Sequence, residues 1–364
     1  MRIVVISTPV FTCPPTGYSG LEYLAWQQAK GLAEKGHQVA LVAPDGSSCP
    51  GVTVIPCGPA GMVSEEHAYG GTPGAQQLPD GRVVRKIDGY WPHLLQADCV
   101  VDHSWNKFSM LLKLEGRLQA PSLLWSHAPV DTMYQQMPNL AKPCFVCISE
   151  DQGAHFRALF GRDCRVCYNG IDLDTYRPLG LPRSKRFLFL ARFSTVKGPD
   201  LAIQACKQAG AELDLIGDTK LTGEPEYLQS LLHLADGKQI RFVGPAARGE
   251  CVWWYSQAHC MIHPNQRFRE PFGLAPVEAM ACGCPVIAWD FGAMKETVKH
   301  GETGLLVSSQ GDLTKVVSEF GGFHAQMFDG WRNNCREWAG QFSLQRMVDR
   351  VDELCKEAVE SGGW

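Results

Sequence analysis

Short apolar runs alternate with helical patterns along most of the chain, and this alternation constrains the fold more than any other feature. The runs are continuous and rich in β-branched residues, as in strands that are buried on both faces of a parallel sheet. The first repeat of the pattern joins the run Ile3–Ser7, a glycine-containing loop, a helical segment that ends at Gly36, and the run Val39–Ala43. We therefore predict an α/β fold of βαβ units, which bind ligands at the carboxyl ends of their strands.

The length and a break in the alternation predict two domains. The chain has 364 residues, and domains average roughly 150 residues. We predict an N-terminal domain over residues 1–168, a second domain over 169–342, and a terminal helix over 343–364 with Ser343 as its N-cap. Residues 56–92 hold many glycines, prolines and aromatic residues, so we expect an irregular, functional segment there.

Charge and cysteine content limit the partners and the compartment. The net charge is −4 and both signs are spread evenly, which argues against a nucleic-acid binder or constitutive attachment to an anionic membrane. We recognise no signal peptide and no apolar run of the roughly 18 residues that span a bilayer. We therefore expect a cytoplasmic protein whose 15 cysteines stay reduced, and we leave open peripheral contact with the inner membrane face.

Four cysteines have the spacing of a zinc site. They form two Cys-x2-Cys pairs, Cys144 with Cys147 and Cys164 with Cys167. Both pairs lie in strand-like segments, and residues i and i+3 of a strand point to opposite faces of the sheet. We therefore predict buried thiols rather than zinc ligands.

The segment from Arg269 to Pro285 is the most informative part of the sequence. It predicts a helix that begins at Gly273 or Leu274 and ends before Gly283. The N–H groups of Phe272–Leu274 would form an anion site at its amino terminus. Glu278, roughly 6 Å along the helix axis, could reach ribose hydroxyls, and Glu270 could hold sugar hydroxyls on the far side of the ligand. A capped surface helix with two solvated acids is the alternative.

Two cations follow the first predicted strand of the second half. Arg192 and Lys197 lie in the loop after the run Phe187–Ala191. Loops at the carboxyl ends of parallel strands meet at one edge of the sheet, so both side chains could neutralise a pyrophosphate. Two solvated surface charges are the alternative. His127 lies in a comparable loop, after the run Ser122–Trp125, and a structural histidine is the alternative to a functional one.

The segment from Glu270 to Val286 resembles the Glu-x7-Glu motif of retaining glycosyltransferases with the GT-B fold, in particular family 4. This resemblance implies two Rossmann-like doubly wound domains that face a central cleft, with the terminal helix crossing back to the first domain. Further segments resemble the family at Pro14–Glu22, Gly36–Val39, Ser149–Glu150, Asn169–Asp172 and, as a loop, Gly301–Val307.

The resemblance also implies an activity and a set of site residues. The expected reaction moves a sugar, with retention, from a nucleotide diphosphate sugar to a hydroxyl acceptor that is a glycan, a glycolipid or a small molecule. We expect a UDP-sugar donor and no metal or other cofactor. The expected catalytic residues are Glu270, Arg192, Lys197 and His127. The expected donor-binding residues are Gly17, Gly20, Arg192, Lys197, Gly217, Val243, Glu270, Phe272, Gly273, Leu274 and Glu278.

Two other functions remain as alternatives, a GT-B sugar-nucleotide epimerase and a non-catalytic nucleotide-sugar binding protein. Asp172 and Asp174 match an Asp-x-Asp metal motif, but they lie in the predicted domain junction, so we interpret them as structural. The glycine loop departs from the family pattern, because Tyr18 and Ser19 separate Gly17 from Gly20.

Overall fold

The chain forms two compact units. The computed structural model describes residues 1–17, 19–61, 75–77, 83–104, 107–130, 144–219, 224–321 and 325–364. Unit 1 consists of residues 1–170 and 344–364, and unit 2 consists of residues 171–343. Tyr18 and much of the 56–92 segment lie outside the described residues.

Unit 1 is built on a seven-stranded parallel sheet. The strands of this unit are β1 (Arg2–Ile6), β2 (Gln38–Ala43), β3 (Thr53–Pro56), β4 (Ala75–Gln77), β5 (Val83–Arg85), β6 (Cys99–Asp102), β7 (Ser122–Trp125), β8 (Phe145–Cys147) and β9 (Arg165–Val166). The sheet order is β3-β2-β1-β6-β7-β8-β9, and β4 and β5 form a separate antiparallel pair. The order reverses direction between β1 and β6, where the loops after both strands diverge and leave a crevice. We call this edge the first switch point.

Unit 2 repeats this plan with six parallel strands. They are β10 (Phe187–Leu190), β11 (Leu213–Ile216), β12 (Ile240–Gly244), β13 (Met261–His263), β14 (Val286–Trp289) and β15 (Gly304–Val307). The order is β12-β11-β10-β13-β14-β15, so the reversal falls between β10 and β13. We call the carboxyl edge there the second switch point. Every residue of β10, β11, β13 and β14 is buried, as the continuous apolar runs predict.

Helices cover the sheets of both units. They are α1 (Leu21–Glu34), α2 (Lys86–Leu94), α3 (Phe108–Leu114), α4 (Glu150–Phe160), α5 (Pro199–Ala209), α6 (Pro225–Leu232), α7 (Arg248–Gln257), α8 (Leu274–Ala281), α9 (Met294–Thr297), α10 (Gln310–Gly321), α11 (Ala325–Ala339) and α12 (Leu344–Ser361). The predicted α/β class with two Rossmann-like sheets is confirmed.

The terminal helix α12 belongs to unit 1 and packs on α1. A Cβ at Gly31 would lie only 2.5 Å from Cγ2 of Val348, so the glycine permits the close approach of the two helices. A polar contact holds α12 to the connection between α1 and β2, with His37 Nε2 2.9 Å from Asp352 Oδ1. These contacts fix α12, and with it Met347, against the helix that follows the glycine loop.

Two details of the sequence-based prediction were wrong. Within 56–92, the described residues include the strand pair β4–β5 and most of helix α2, so that segment is not irregular throughout. The stretch Gly301–Val307, predicted as a loop, contains the edge strand β15, which pairs with β14. A Cβ at Gly304 would lie 2.0 Å from the Val286 carbonyl oxygen, so the glycine that resembles a loop residue is required by strand packing.

The 15 cysteines are all free, and all except Cys57 are buried. Cys164 Sγ accepts a 3.4 Å hydrogen bond from Arg157 Nη1 and donates to the Gly153 carbonyl oxygen at 3.7 Å. Within the described ranges, no group of three or more His, Cys, Asp or Glu residues has the arrangement of a metal site. The same ranges contain no helix with the length and apolar character needed to cross a membrane.

Candidate functional site

The loop after β10 places a lysine at the second switch point. Gly198 has a φ of +66° and ends this loop, and Pro199 then begins α5. A Cβ at Gly198 would lie 2.8 Å from the Pro264 carbonyl oxygen, so the two loops of the switch point touch here. Lys197 Nζ donates a hydrogen bond of 2.5 Å to Glu270 Oε2. The predicted cation and the first glutamate of the motif are therefore ion-paired across the switch point.

Glu270 is buried among polar side chains from the end of β13 and from the loop that follows it. Asn265 Nδ2 donates to Glu270 Oε2 at 2.7 Å, and His263 Nε2 lies 3.7 Å from the same oxygen. The Glu270 carbonyl accepts a hydrogen bond from the backbone N–H of Ala293. Glu270 Oε1 accepts no hydrogen bond from the described residues, so one carboxylate oxygen is available to a ligand.

Electrostatics keep Glu270 ionised. Burial raises the pKa of its carboxyl group, but the charge of Lys197 and the neighbouring His263 outweigh burial, so the pKa lies well below the usual range. Burial lowers the pKa of His263, although Glu270 opposes that shift. The site therefore holds a carboxylate and an ammonium group that are both largely removed from solvent, with side-chain exposures of 10% and 15%.

Glu278 lies in a different environment on α8. Its Oε2 accepts a 3.2 Å hydrogen bond from Tyr255, and Oε1 lies 4.0 Å from Arg248 Nη1. Arg248 also donates to the hydroxyl of Tyr176. Burial raises the pKa of Glu278, while Arg248 and the two tyrosines oppose the shift. Because Glu270 and Glu278 are both buried, the alternative of two solvated acids on a surface helix is wrong.

The amino terminus of α8 has the predicted boundary. The helix runs from Leu274 to Ala281, and Gly273 precedes it with a φ of +83°. Met294 Cε would lie 2.5 Å from a Cβ at Gly273, so this position is both left-handed and crowded. Phe272 is buried and makes an edge contact with Phe342. The first N–H groups of a helix have no intrahelical acceptor, so this end can receive an anion.

Three other predicted residues of unit 2 differ in surroundings. Arg192 is half-buried and has no hydrogen-bond or ion-pair partner among the described residues. Val243 on β12 is 45% exposed. Gly217 has a φ of +150°, and a Cβ there would lie 1.9 Å from the Ala191 carbonyl oxygen. Gly217 is thus required by the close approach of two chain segments at the end of β11.

The glycine loop of unit 1 is held by a buried glutamate. Gly20 is the N-cap of α1, and a Cβ at Gly17 would meet no described atom within 4 Å. Glu22, in the first turn of α1, accepts hydrogen bonds from the hydroxyls of Thr8 and Ser19 and from the N–H of Phe11. These contacts tie Thr8, Phe11 and Ser19 to the first turn of α1, beside the first switch point.

His127 is part of a histidine pair in unit 1. Its Nε2 lies 2.8 Å from Nδ1 of His103, and His103 Nε2 lies 2.9 Å from Gln28 Oε1. The two rings are stacked, with centroids 5.1 Å apart. His103 follows β6 and His127 follows β7, so both lie at the carboxyl edge of the sheet.

Sequence reasoning missed several members of these clusters, namely Gln28, His103, His263 and Asn265. The signal for His103 was a histidine directly after an apolar strand, as for His127. His263 and Asn265 precede the motif by only a few residues, at the end of the apolar run of β13. Asp172 behaves as predicted, because its carboxylate accepts hydrogen bonds from Asp174 and Thr175 of the same turn.

Two family models match successive parts of the chain. The model described as "Glycosyltransferase Family 4" matches residues 18–175, and "Glycosyl transferases group 1" matches residues 177–319. Together they span both units and include the histidine pair and the Glu270–Glu278 motif. The chain belongs to the family 4 glycosyltransferases with the GT-B fold.

Curated relatives carry a common name. The D-inositol 3-phosphate glycosyltransferase 1 of Catenulispora acidiphila is 31% identical over 217 residues, which cover 53% of this chain and 51% of that protein. The D-inositol 3-phosphate glycosyltransferase of Gordonia bronchialis is 25% identical over 99% of this chain and 89% of that protein. The chain therefore matches about half the length of the first relative and most of the second.

Solved structures share the fold at low identity. Anabaena HepE in complex with UDP-glucose matches with a TM-score of 0.75 and 18% identity, over 98% of this chain and all of that chain. AviGT4, a glycosyltransferase involved in avilamycin A biosynthesis, matches with a TM-score of 0.72 and 20% identity, over 99% of this chain and 98% of that chain. These likenesses establish the GT-B fold.

Proposed function

We propose that the protein is a retaining glycosyltransferase that moves a sugar from a nucleotide diphosphate sugar to a hydroxyl acceptor. The observation that carries the proposal is the buried pair of Lys197 and Glu270 at the second switch point. A buried ion pair contributes little to stability compared with a well-packed apolar pair, so a buried pair at this edge of the sheet favours a function for the charges. Arg192 and the amino terminus of α8 supply further positive charge in the same unit.

In the proposed reaction, the cations of unit 2 stabilise the leaving group. The bond between the anomeric carbon and the phosphate oxygen breaks, a bond forms from the acceptor oxygen to that carbon, and negative charge builds on the diphosphate. Lys197, Arg192 and the N–H groups near Gly273 stabilise this charge. The acceptor proton passes to the departing phosphate on the same face of the sugar, so the protein supplies no nucleophile.

The two glutamates take different parts in this proposal. Glu270 Oε1 accepts a hydrogen bond from a hydroxyl of the transferred sugar, while Oε2 keeps Lys197 in place. Glu278 accepts hydrogen bonds from the ribose hydroxyls. The pKa of its carboxyl group is raised because the group is buried and Arg248 is too distant to form a full ion pair. His127 contacts the transferred sugar. Gly17 and Gly20 approach the diphosphate or the acceptor.

A UDP-sugar is the donor that we propose, and no metal is required, because fixed cations take the role of a metal at the diphosphate. The HepE structure contains UDP-glucose, which supports a UDP-sugar. The names of the curated relatives support an inositol phosphate as one candidate acceptor, alongside glycan, glycolipid and other small-molecule hydroxyls.

Donor selection and turnover test the proposal. The purified chain is heated with UDP-glucose, with GDP-mannose and with neither, because a ligand that binds the folded state raises the unfolding temperature. The donor that stabilises is then incubated with EDTA and an acceptor panel that includes D-inositol 3-phosphate, and nucleotide release is measured. We expect stabilisation by UDP-glucose and release of UDP. Binding without transfer or hydrolysis would contradict transferase activity and favour a nucleotide-sugar binding protein.

A further inference from the structure

A chain of polar contacts crosses unit 1 from the terminal helix to His127. Met347 Sδ on α12 lies 3.7 Å from Nε2 of Gln28 on α1. Gln28 Oε1 lies 2.9 Å from His103 Nε2, and His103 Nδ1 lies 2.8 Å from His127 Nε2. Gln28 and His103 are 0% and 1% exposed, so no water replaces these contacts. Each of these contacts therefore needs one donor and one acceptor from the side chains themselves. The chemistry of the four side chains determines which atom donates in each contact.

The thioether sets the direction of the chain. Sulfur in methionine accepts hydrogen bonds and donates none, and Met347 Sδ also accepts a 3.1 Å contact from the N–H of Gly170. The amide NH2 of Gln28 must therefore face Met347, which leaves Oε1 as the atom that faces His103. Because Oε1 only accepts, His103 Nε2 carries the ring proton.

The proton of His103 determines the proton of His127. A neutral imidazole has one N–H, so His103 Nδ1 is an acceptor, and the atom that faces it, His127 Nε2, must be the donor. His127 Nδ1 is then left without a proton. That nitrogen is buried and has no hydrogen-bond partner among the described residues.

Both rings are neutral because of their surroundings. Burial lowers the pKa of His103 to about 3, with a smaller contribution from the charge of Lys107. Burial, His103 and Lys107 hold the pKa of His127 well below the usual range. Lys107 is itself buried and donates a hydrogen bond from Nζ to the Ser104 carbonyl oxygen. Ring contacts with Trp125 and between the two histidines hold the orientation, with centroids 5.2 and 5.1 Å apart.

We propose that Met347, Gln28 and His103 are positioning residues that fix His127 as the Nε2–H tautomer, so that its bare Nδ1 accepts a hydrogen bond from a sugar hydroxyl. The identity of the ligand as a sugar rests on the proposed function. The tautomer does not, because it follows from contacts within unit 1. A bare nitrogen selects a hydroxyl, which can donate, over a phosphate oxygen, which cannot.

The tautomer is measured by histidine-selective ¹⁵N NMR on the full chain without ligand, with His127 assigned from a His127→Gln spectrum. We expect a protonated Nε2 and an unprotonated Nδ1 between pH 6 and 8, as neutral buried rings require. His103→Asn places an amide oxygen near the former Nδ1 and should preserve the signature, whereas His103→Phe offers no acceptor and should mix the tautomers. A proton on Nδ1 in the wild type, or an unchanged signature in His103→Phe, would overturn the proposal.

Calorimetric measurement of ligand binding tests the proposed hydrogen bond from a sugar hydroxyl to His127 Nδ1. His103→Phe should weaken UDP-glucose binding a few-fold, in proportion to the fraction of His127 that loses its bare Nδ1, while UDP binding should not change. His103→Asn should bind UDP-glucose like the wild type. Equal losses for UDP and UDP-glucose, or no loss, would overturn the proposed hydrogen bond between His127 Nδ1 and the sugar. If the wild type binds neither UDP nor UDP-glucose, the proposed function fails. The NMR signature alone then decides whether His103 sets the tautomer of His127. Gln28→Leu, which removes the acceptor of His103, repeats the NMR test should His103→Phe fail to fold.

Discussion

The two switch points have the same topology and opposite electrostatics. At the second, a lysine and a glutamate from the loops after β10 and β13 form a buried ion pair. At the carboxyl edge of the first sheet, two neutral histidines and an amide form a hydrogen-bonded chain. One arrangement is suited to a ligand that brings charge, and the other to a ligand that brings hydroxyls. The fold therefore supplies the crevice, while a few buried side chains decide what can occupy it.

The largest expected effect is on turnover. Lys197→Ala removes the cation of unit 2 that faces Glu270, so kcat should fall about 10²- to 10³-fold, as when one preorganised charge-stabilising group is lost. The measurement is UDP release under saturating donor, with circular dichroism to confirm folding. Lys315→Ala, which removes a lysine with a 73% exposed side chain, is the matched control and should keep wild-type activity. Equal activity in both variants would remove Lys197 from the mechanism.

The next effect is on stability. Glu270→Gln leaves Lys197 buried without its counter-ion and should lower the free energy of unfolding by about 3 kcal/mol, measured by urea denaturation. Glu302→Gln breaks a pair whose side chains are 47% and 52% exposed and should cost less than about 1 kcal/mol. Adding Lys197→Met to Glu270→Gln should recover part of the loss. Similar costs for the two single variants would contradict a buried, mutually dependent pair.

The histidine pair should appear in the pH dependence of stability. The pKa of His103 is lowered on folding, so the folded state binds fewer protons than the unfolded state below an unfolded pKa of about 6.5. Its contribution is complete above that pH and is lost as the pH falls towards about 3. By pH 5 the loss from His103 should be about 2 kcal/mol.

His103→Asn is the comparison for this profile, because an amide does not titrate in this range. Its unfolding free energy should be flatter than that of the wild type between pH 6.5 and 5. Glu270 contributes in a different window, since its pKa is also lowered but its contribution is lost only as the pH falls below the ordinary value of 4.5. Identical profiles for wild type and His103→Asn would mean that the ring is not held neutral.

At Glu278 we expect a small effect on stability and a separate effect on ligand binding. Burial raises the pKa of its carboxyl group, so replacing the carboxylate by an amide in Glu278→Gln should change the free energy of unfolding by less than about 1 kcal/mol. UDP affinity should nevertheless fall about tenfold, because an amide is a weaker acceptor for ribose hydroxyls than a carboxylate. Calorimetry with UDP measures this. A large loss of stability with unchanged UDP affinity would make Glu278 a structural residue.

The features that could be predicted from the sequence are those that depend on residues close together along the chain. The strands, the boundaries of α8 and the positions of Arg192 and Lys197 after β10 follow from local periodicity and from Gly and Pro chemistry. The ion pair between Lys197 and Glu270 was not predicted. It depends on the order of the strands at the second switch point, which the local sequence pattern does not determine.

The contacts that link Met347, Gln28, His103 and His127 could not be predicted, because they also depend on the tertiary fold. These residues come from α1, the loops after β6 and β7, and α12, so Gln28 and Met347 are 319 residues apart. No local pattern marks them, and a glutamine on the buried side of a helix has no signal of its own. The strand β15 was missed because Gly304 favours a loop in sequence, whereas the fold uses it for the close approach of β14.

The most direct test of glycosyl transfer at this site is the product formed from UDP-glucose and a hydroxyl acceptor, followed by ¹H NMR without added metal. We expect release of UDP and an α-linked glucoside, the configuration of the donor, with both signals lost in Lys197→Ala. A β-linked product would contradict retention. UDP-glucose that is bound but neither transferred nor hydrolysed would contradict transferase activity altogether.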